Sequence, residues 1–226
     1  GEIGKGDNSV LWDWKDVASL QFLDADEEGK VEFWVKVKDG SQERKTINPV
    51  LRNKVSIGGT EKVFDTKINS KVWLSQKVDF EEDVFGNSGS IPPQVGASTT
   101  YTVFWQVKNN WNDLQNVKVK SILPAVVKPT GKIFPEDAKF TFDSQSREII
   151  WNIGELKAFQ GTGEAPFTLA FQIEFAPLLP LEYAGQEAIT FLLMGEAEFL
   201  GQDFFTSELI QEKAKGVEAT VVNING

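Results

Sequence analysis

The chain has 226 residues, with 23 Lys and Arg against 33 Asp and Glu, no histidine, no cysteine, and a formal net charge of −10. Without Cys there is no disulfide framework, no thiolate nucleophile and no Cys-ligated zinc or iron–sulfur site; without His, Ser-His-Asp and Cys-His catalysis and the commonest transition-metal ligand are gone as well. The acidic balance argues against nucleic-acid binding, which needs a basic face, and leaves carboxylate chemistry, calcium-type oxygen ligation, or no chemistry.

Hydrophobic content of 41% with 25% charged residues suits a soluble globular chain, and 17 Phe and 7 Trp offer large rings for a core without disulfides. No apolar run approaches the roughly 20 residues of a membrane helix; the longest apolar-leaning stretch, Ala188 to Met194, is strand-sized. The start, Gly1-Glu2-Ile3-Gly4, has neither the charged beginning nor the apolar core of a signal peptide, so in an exported protein the signal and any anchor are expected outside this segment.

Taken in chain order, period-two alternation dominates. Val31 to Lys38 places Val31, Phe33, Val35 and Val37 on one face, with Glu32, Lys36 and Lys38 on the other. Thr99 to Val107, Asn116 to Ile122, Phe167 to Phe175 and Gly216 to Val222 read the same way, which predicts half-buried strands. Turn signals separate them: Asp39-Gly40, Gly58-Gly59, Gly86-Asn87-Ser88-Gly89, Pro92-Pro93 and Gly161-Thr162-Gly163. Glu208 to Lys215 reads either as a two-turn helix or as a polar loop. Many short strands divided by turns predict an all-β fold, an antiparallel sandwich rather than a βαβ sheet.

An internal repeat runs through the pattern. Ser9 to Val17 matches Glu148 to Leu156, pairing Trp12 with Trp151; Val31 to Val37 matches Leu169 to Phe175; Val55 to Gly59 matches Ala197 to Gly201; and Phe64-Asp65-Thr66 lies near Phe205-Thr206-Ser207. The register makes residues 71–226 one complete module and residues 1–70 the second half of another, with Gly216 to Val222 resembling Lys71-Val72-Trp73-Leu74 as a further first strand. A lone half-sandwich would expose Trp12, Phe33 and Val35 as an apolar patch. The expectation is therefore an excerpt of a longer tandem array, strands supplied by a neighbouring chain, or a half-module packed on the complete one, the first being favoured.

Tyr101 to Asn109 (YTVFWQVKN), Leu114 to Pro124 (LQNVKVKSILP) and Ile150 to Leu156 (IWNIGEL), followed by an alternating strand, carry a family pattern. The chain resembles the conserved-repeat module of bacterial surface proteins, domain of unknown function 11. It departs from the pattern where Ser121 stands for an Asp and where Lys157-Ala158-Phe159 follow the G-x-L in place of small residues. The resemblance implies tandem immunoglobulin-like antiparallel β-sandwiches in a secreted chain that builds stalks, adhesins or envelope layers. It also implies an extracellular or cell-surface location, neighbouring copies or other surface proteins as partners, and no catalytic residues. On the residues themselves, Trp151 and Trp12 read as core rings, and Pro124 as a strand terminator.

Candidate sites are few. Asp24, Asp26 and Glu28, and Asp79, Glu82 and Asp83, lie in dense acidic turns that could order around calcium or serve only as solvated surface. Trp111, in the polar run Asn109 to Asp113, is expected exposed and could meet carbohydrate or a protein partner. Glycoside hydrolysis by paired carboxylates finds no sign of two acids converging on a cleft. A Lys77–Asn223 isopeptide bond assisted by Glu174 is a further arrangement that the strand positions allow. No phosphate-binding glycine loop is present. The expected function is a non-enzymatic structural module of a surface protein, the alternative being a carbohydrate- or protein-binding adhesion module with calcium-ordered loops.

Overall fold

A computed structural model describes residues 2–4, 8–22, 24–34, 46–163, 165–178 and 187–222. The chain divides into two units, Gly1–Glu43 and Arg44–Gly226. Residues 46–70, expected with the N-terminal half-repeat, fall within the larger of these units.

In the first unit, β1 (Glu2–Ile3) pairs with β2 (Val10–Leu11), and a single 3-10 turn covers Ala18–Leu20. No described residue of this unit is buried. Trp12, expected in a core, is only half-buried, its ring 5.5 Å from that of Phe33. The strand expected over Val31 to Lys38 is not formed across Val31–Trp34, while Val35, Lys36, Val37, Lys38 and the Asp39-Gly40 turn lie outside the described residues.

The second unit opens with a hairpin, β3 (Val50–Ile57) and β4 (Thr60–Lys67). It continues through β5 (Val72–Asp79), β6 (Thr99–Asn109), β7 (Leu114–Ile122), β8 (Val127–Phe134), β9 (Lys139–Phe142), β10 (Glu148–Leu156) and β11 (Phe167–Phe175). The last strands are β12 (Ala188–Met194), β13 (Ala197–Asp203), β14 (Leu209–Ala214) and β15 (Val217–Val222). All ladder pairs between these strands are antiparallel.

Two sheets face each other, β5-β6-β11-β8 and β14-β13-β7-β10-β9. With β5, β6, β7, β11, β13 and β14 taken as strands A, B, C, E, F and G, the first sheet reads A-B-E and the second G-F-C. That is the strand order of an immunoglobulin-like sandwich. β8 takes the place of strand D, and the β9–β10 hairpin extends the opposite sheet beyond C.

The alternation explains the core. On β6 the inward positions Tyr101, Val103, Trp105 and Val107 are buried; on β11 Leu169, Phe171, Ile173 and Phe175 meet them from the neighbouring strand. Trp105 and Phe171 pack edge to face at 5.1 Å, Phe140 lies 4.8 Å from Phe171, and Trp151 stacks on Phe167 at 5.3 Å. Burying each Phe is worth about 1.5–3 kcal/mol. The phase slips on two paired strands: Asn116 (φ 54°) and Gly154 (φ 78°) bulge β7 and β10, and register shifts flank the pair Gly154–Val117.

One expectation is corrected outright. Glu208 to Lys215 is neither helix nor loop: β14 pairs with β13 from Ala197–Ala214 to Gln202–Leu209. Its buried residues, Ile210 and Ala214, are four apart, a spacing that satisfies both a helix face and an alternating strand. The ladder with β13 decides between them, overriding the helix propensity of Leu, Glu, Lys and Ala. The repeat also fares unevenly. β10 is a full strand where its counterpart β2 has two residues, and Gly201 lies mid-strand where Gly59 forms a turn.

Candidate functional site

The surface feature least explained by the sandwich is the β3–β4 ribbon. Its two-residue turn is Gly58-Gly59, both with positive φ (55° and 82°), the geometry a tight hairpin needs. The register places Arg52 opposite Asp65 and Lys54 opposite Val63, with Glu61 diagonal to Lys54. On that face Arg52 grips Asp65 through two hydrogen bonds of 2.8 Å, and Lys54 pairs with Glu61 at 2.6 Å. The Asp65 carboxyl is held below its ordinary range by the Arg52 hydrogen bonds. The other face carries Leu51, Val55, Ile57 and Phe64, with Asn53, Thr60, Thr66 and Lys62. Ile57 is 75% exposed and Phe64 44% exposed. Lys62 has no carboxylate partner among the described residues and lies over the Phe64 ring at 5.2 Å. The two faces therefore differ: one carries the paired charges together with the exposed Val50 and Val63, and the other is mainly apolar, with Leu51 half-buried, Val55, Ile57 and Phe64 exposed, and Lys62 its one charge.

Its base is held by a buried polar network. Asp203, fully buried, ends β13 in the inward phase set by Ala197, Phe199 and Gly201. Its Oδ2 accepts the Ser70 amide and Asn112 Nδ2, both at 2.7 Å; its Oδ1 accepts the amides of Phe205 and Thr206 at 2.9 and 3.0 Å. Four donors replace the water a buried carboxylate has lost. Asn112 Nδ2 also donates to Ile68 O at 2.8 Å, and Ser70 Oγ donates to Asn109 Oδ1 at 2.7 Å. Asn109 Nδ2 in turn donates to the carbonyls of Asn112, Lys157 and Leu156. Lys67 closes the outer side, donating to Phe205 O at 2.9 Å with its Nζ 4.6 Å from the Phe205 ring centre. Asn112 Oδ1 is buried without a partner.

Trp111, expected exposed, is 9% exposed instead, and its carbonyl accepts the Asn48 amide. The run Asn109 to Asp113 looked like a solvated turn, but three of its members, Asn109, Asn110 and Asn112, are buried as the polar lining of the ribbon's root. Asp113 accepts the Ala158 amide at 2.8 Å and the Lys157 ammonium at 3.1 Å, which lowers its carboxyl pKa, the Ala158 bond foremost.

Among the described residues no group of three carboxylates is placed to hold a metal ion. Asp79 pairs with Lys77 and accepts the Glu81 amide at 3.0 Å, and the Lys77 hydrogen bond is the main cause of its lowered pKa. In the turn of Asp24, Asp26 and Glu28, the carboxylate of Glu27 accepts the Asp24 amide at 3.0 Å. The isopeptide arrangement also lacks support. Lys77 is an exposed, ion-paired amine, Glu174 pairs with Lys128 at 3.3 Å, and Asn223 lies outside the described residues. One surface depression of about 300 Å³ is lined by residues of β7, β13 and β14, with Lys118 its one charged side chain. Asp203, Asn112 and Ser70 are the residues that sequence reasoning passed over. The available signal was an Asp in the inward phase of an alternating strand, beside a run of asparagines at the end of another.

No family model and no curated protein matches the chain. Among solved structures it is similar to the major pilin subunit BcpA of Bacillus cereus, at 11% identity and a TM-score of 0.41, covering 76% of this chain and 52% of that one. The major pilin SpaD of Corynebacterium diphtheriae gives 11% identity and 0.38 over 68% of this chain and 36% of that one. A family 20 exo-β-N-acetylglucosaminidase of Vibrio harveyi gives 12% and 0.32, covering 66% of this chain and 18% of that one. The chain spans about half the length of the Bacillus pilin subunit.

Proposed function

We propose that the chain is a non-enzymatic structural module of a large secreted cell-surface protein, of the kind that builds a stalk, an adhesin or an envelope layer from repeated sandwiches. One observation supports this reading above the others. Asp203, the one buried carboxylate among the described residues, is engaged by four hydrogen-bond donors that fix the last residue of β13 and the base of the ribbon. Its oxygens are turned to geometry, with none left for a reacting group. The aromatic core and the absence of His and Cys agree with a scaffold.

The test is antibody labelling of intact cells of the source organism, before and after brief external protease. Labelling of intact cells that protease removes is the expected result. Labelling that requires permeabilisation would overturn the surface assignment.

A further inference from the structure

The bare face of the β3–β4 ribbon asks for a cover, and its charge says what kind. Residues 50–67 hold four Lys and Arg against two Asp and Glu, a net +2, whereas residues 68–226, which carry the sandwich, hold 12 against 20, a net −8. Two of the four cations are neutralised within the ribbon by Asp65 and Glu61, and Lys67 is bound at the root. Lys62 remains, opposite Val55 and over the Phe64 ring, on the face that also carries Ile57 and Leu51. A surface of this kind fits an apolar patch edged with carboxylate.

We propose that the ribbon is a docking arm whose partner is the acidic body of a second copy of this chain. This names the partner within the structural-module reading above and rests on it. Two ribbons facing each other would set Lys62 against Lys62 and add two positive arms. A ribbon on a sandwich body joins opposite charges. The favoured contact is therefore heterologous, with a different surface used on each side, and such contacts propagate head to tail when the rotation does not close. Every copy has one arm and one body.

Size sets the strength. Strands of eight residues at about 3.3 Å per residue make a ribbon about 27 Å long and about 10 Å wide, so one face covers about 270 Å² and the contact buries about 550 Å² in total. Stable complexes bury about 1,200 Å² or more. A single contact is thus weak, and it becomes effective where copies are held close together, as in an array.

The experiment is sedimentation equilibrium of the full chain from about 10 μM to about 1 mM, in about 20 mM and about 1 M salt, the latter shortening the screening length to about 3 Å. The expected result at low salt is a weight-average mass that rises with concentration beyond the dimer, and that falls toward the monomer at high salt. Lys62→Glu and Phe64→Ser, both on the bare face, are expected to lower the association constant at least about fivefold. Lys54→Gln, on the ion-paired face, is expected to leave it within about twofold. All three sites are exposed, and far-UV circular dichroism checks that each variant keeps its fold. A chain that stays monomeric at about 1 mM and low salt, a mass that stops at the dimer, or association indifferent to Lys62→Glu and Phe64→Ser each overturns the proposal. The cell-labelling result stands apart from all of these, so a monomer found at the cell surface removes the arm and keeps the module.

Discussion

Two hairpins of this molecule, β3–β4 and β13–β14, have the same antiparallel form and opposite surroundings. In β13–β14 the alternate residues Ala197, Phe199, Gly201 and Asp203 are buried, with Ile210 and Ala214 beside them. In β3–β4 no residue is buried, although Leu51, Val55, Ile57 and Phe64 keep the same alternation. Alternation specifies the strand and which face is apolar. What covers that face depends on the rest of the fold: β13–β14 has β7 on its flank and β5 opposite, whereas β3–β4 is joined to the sandwich at its base.

Cutting a ring from each hairpin separates their environments most strongly. Phe199→Ala removes a fully buried ring from the core and is expected to cost about 3–5 kcal/mol. Phe64→Ala removes a ring that is 44% exposed and touches no core, and is expected to fall within about 0.5 kcal/mol. Urea denaturation followed by Trp fluorescence measures both. Equal costs would mean that the ribbon face is covered within the single chain, and the contrast between the hairpins would fail.

Next in size is the root that joins the two environments. Asp203→Ala leaves the amides of Ser70, Phe205 and Thr206, and Asn112 Nδ2, without their acceptor. A buried donor left unpaired costs about 1–3 kcal/mol, part of it recovered by relaxation. The expected loss is about 2–4 kcal/mol overall, together with faster hydrogen exchange at Ser70 and Thr206. Asp203→Asn keeps the shape but presents an amide to four donors, and is expected to recover less than half of that loss. Full recovery by Asn would show that shape, not the carboxylate's two acceptor oxygens, holds the root.

Much of the sandwich was legible because its strands are long and their inward positions are large and apolar: Thr99–Val107 and Phe167–Phe175 fall on β6 and β11, and Trp151 is the core ring it looked like. The first unit was misread for the converse reason. Val31 to Val37 has the alternation of a strand, yet a strand exists only with a ladder partner, and Val31–Trp34 has none. Trp111 was misplaced because asparagines usually mark solvated turns. Here Asn109 and Asn112 are buried to satisfy carbonyls left open where strands end at the ribbon's base. That pairing joins residues up to 91 positions apart, Asn112 with Asp203, and no local pattern reports it.

The smallest effect near neutral pH, yet one that separates the regions cleanly, comes from Tyr101. The side chain is 6% exposed in the sandwich core, beside Phe80 at 5.9 Å, and burial pushes its pKa from 10.0 up to about 12. The folded state holds the phenolic proton more tightly than the unfolded state, so its contribution is fully present below about pH 10. It is lost as pH rises from about 10 to about 12, because the unfolded chain then binds fewer protons. Unfolding free energy is therefore expected to fall across that window, and Tyr101→Phe is expected to flatten this part of the fall while leaving the curve below pH 9 unchanged in shape. Lys77, Lys157 and Lys213, each raised by hydrogen-bonded carboxylates, contribute to the same window in both proteins and cancel in the difference. Residues 50–67 contain no tyrosine, so the ribbon's amide exchange, corrected for the intrinsic rise with pH, should not follow the Tyr101 step. A ribbon that opened along the same step would show the two regions to be one cooperative unit.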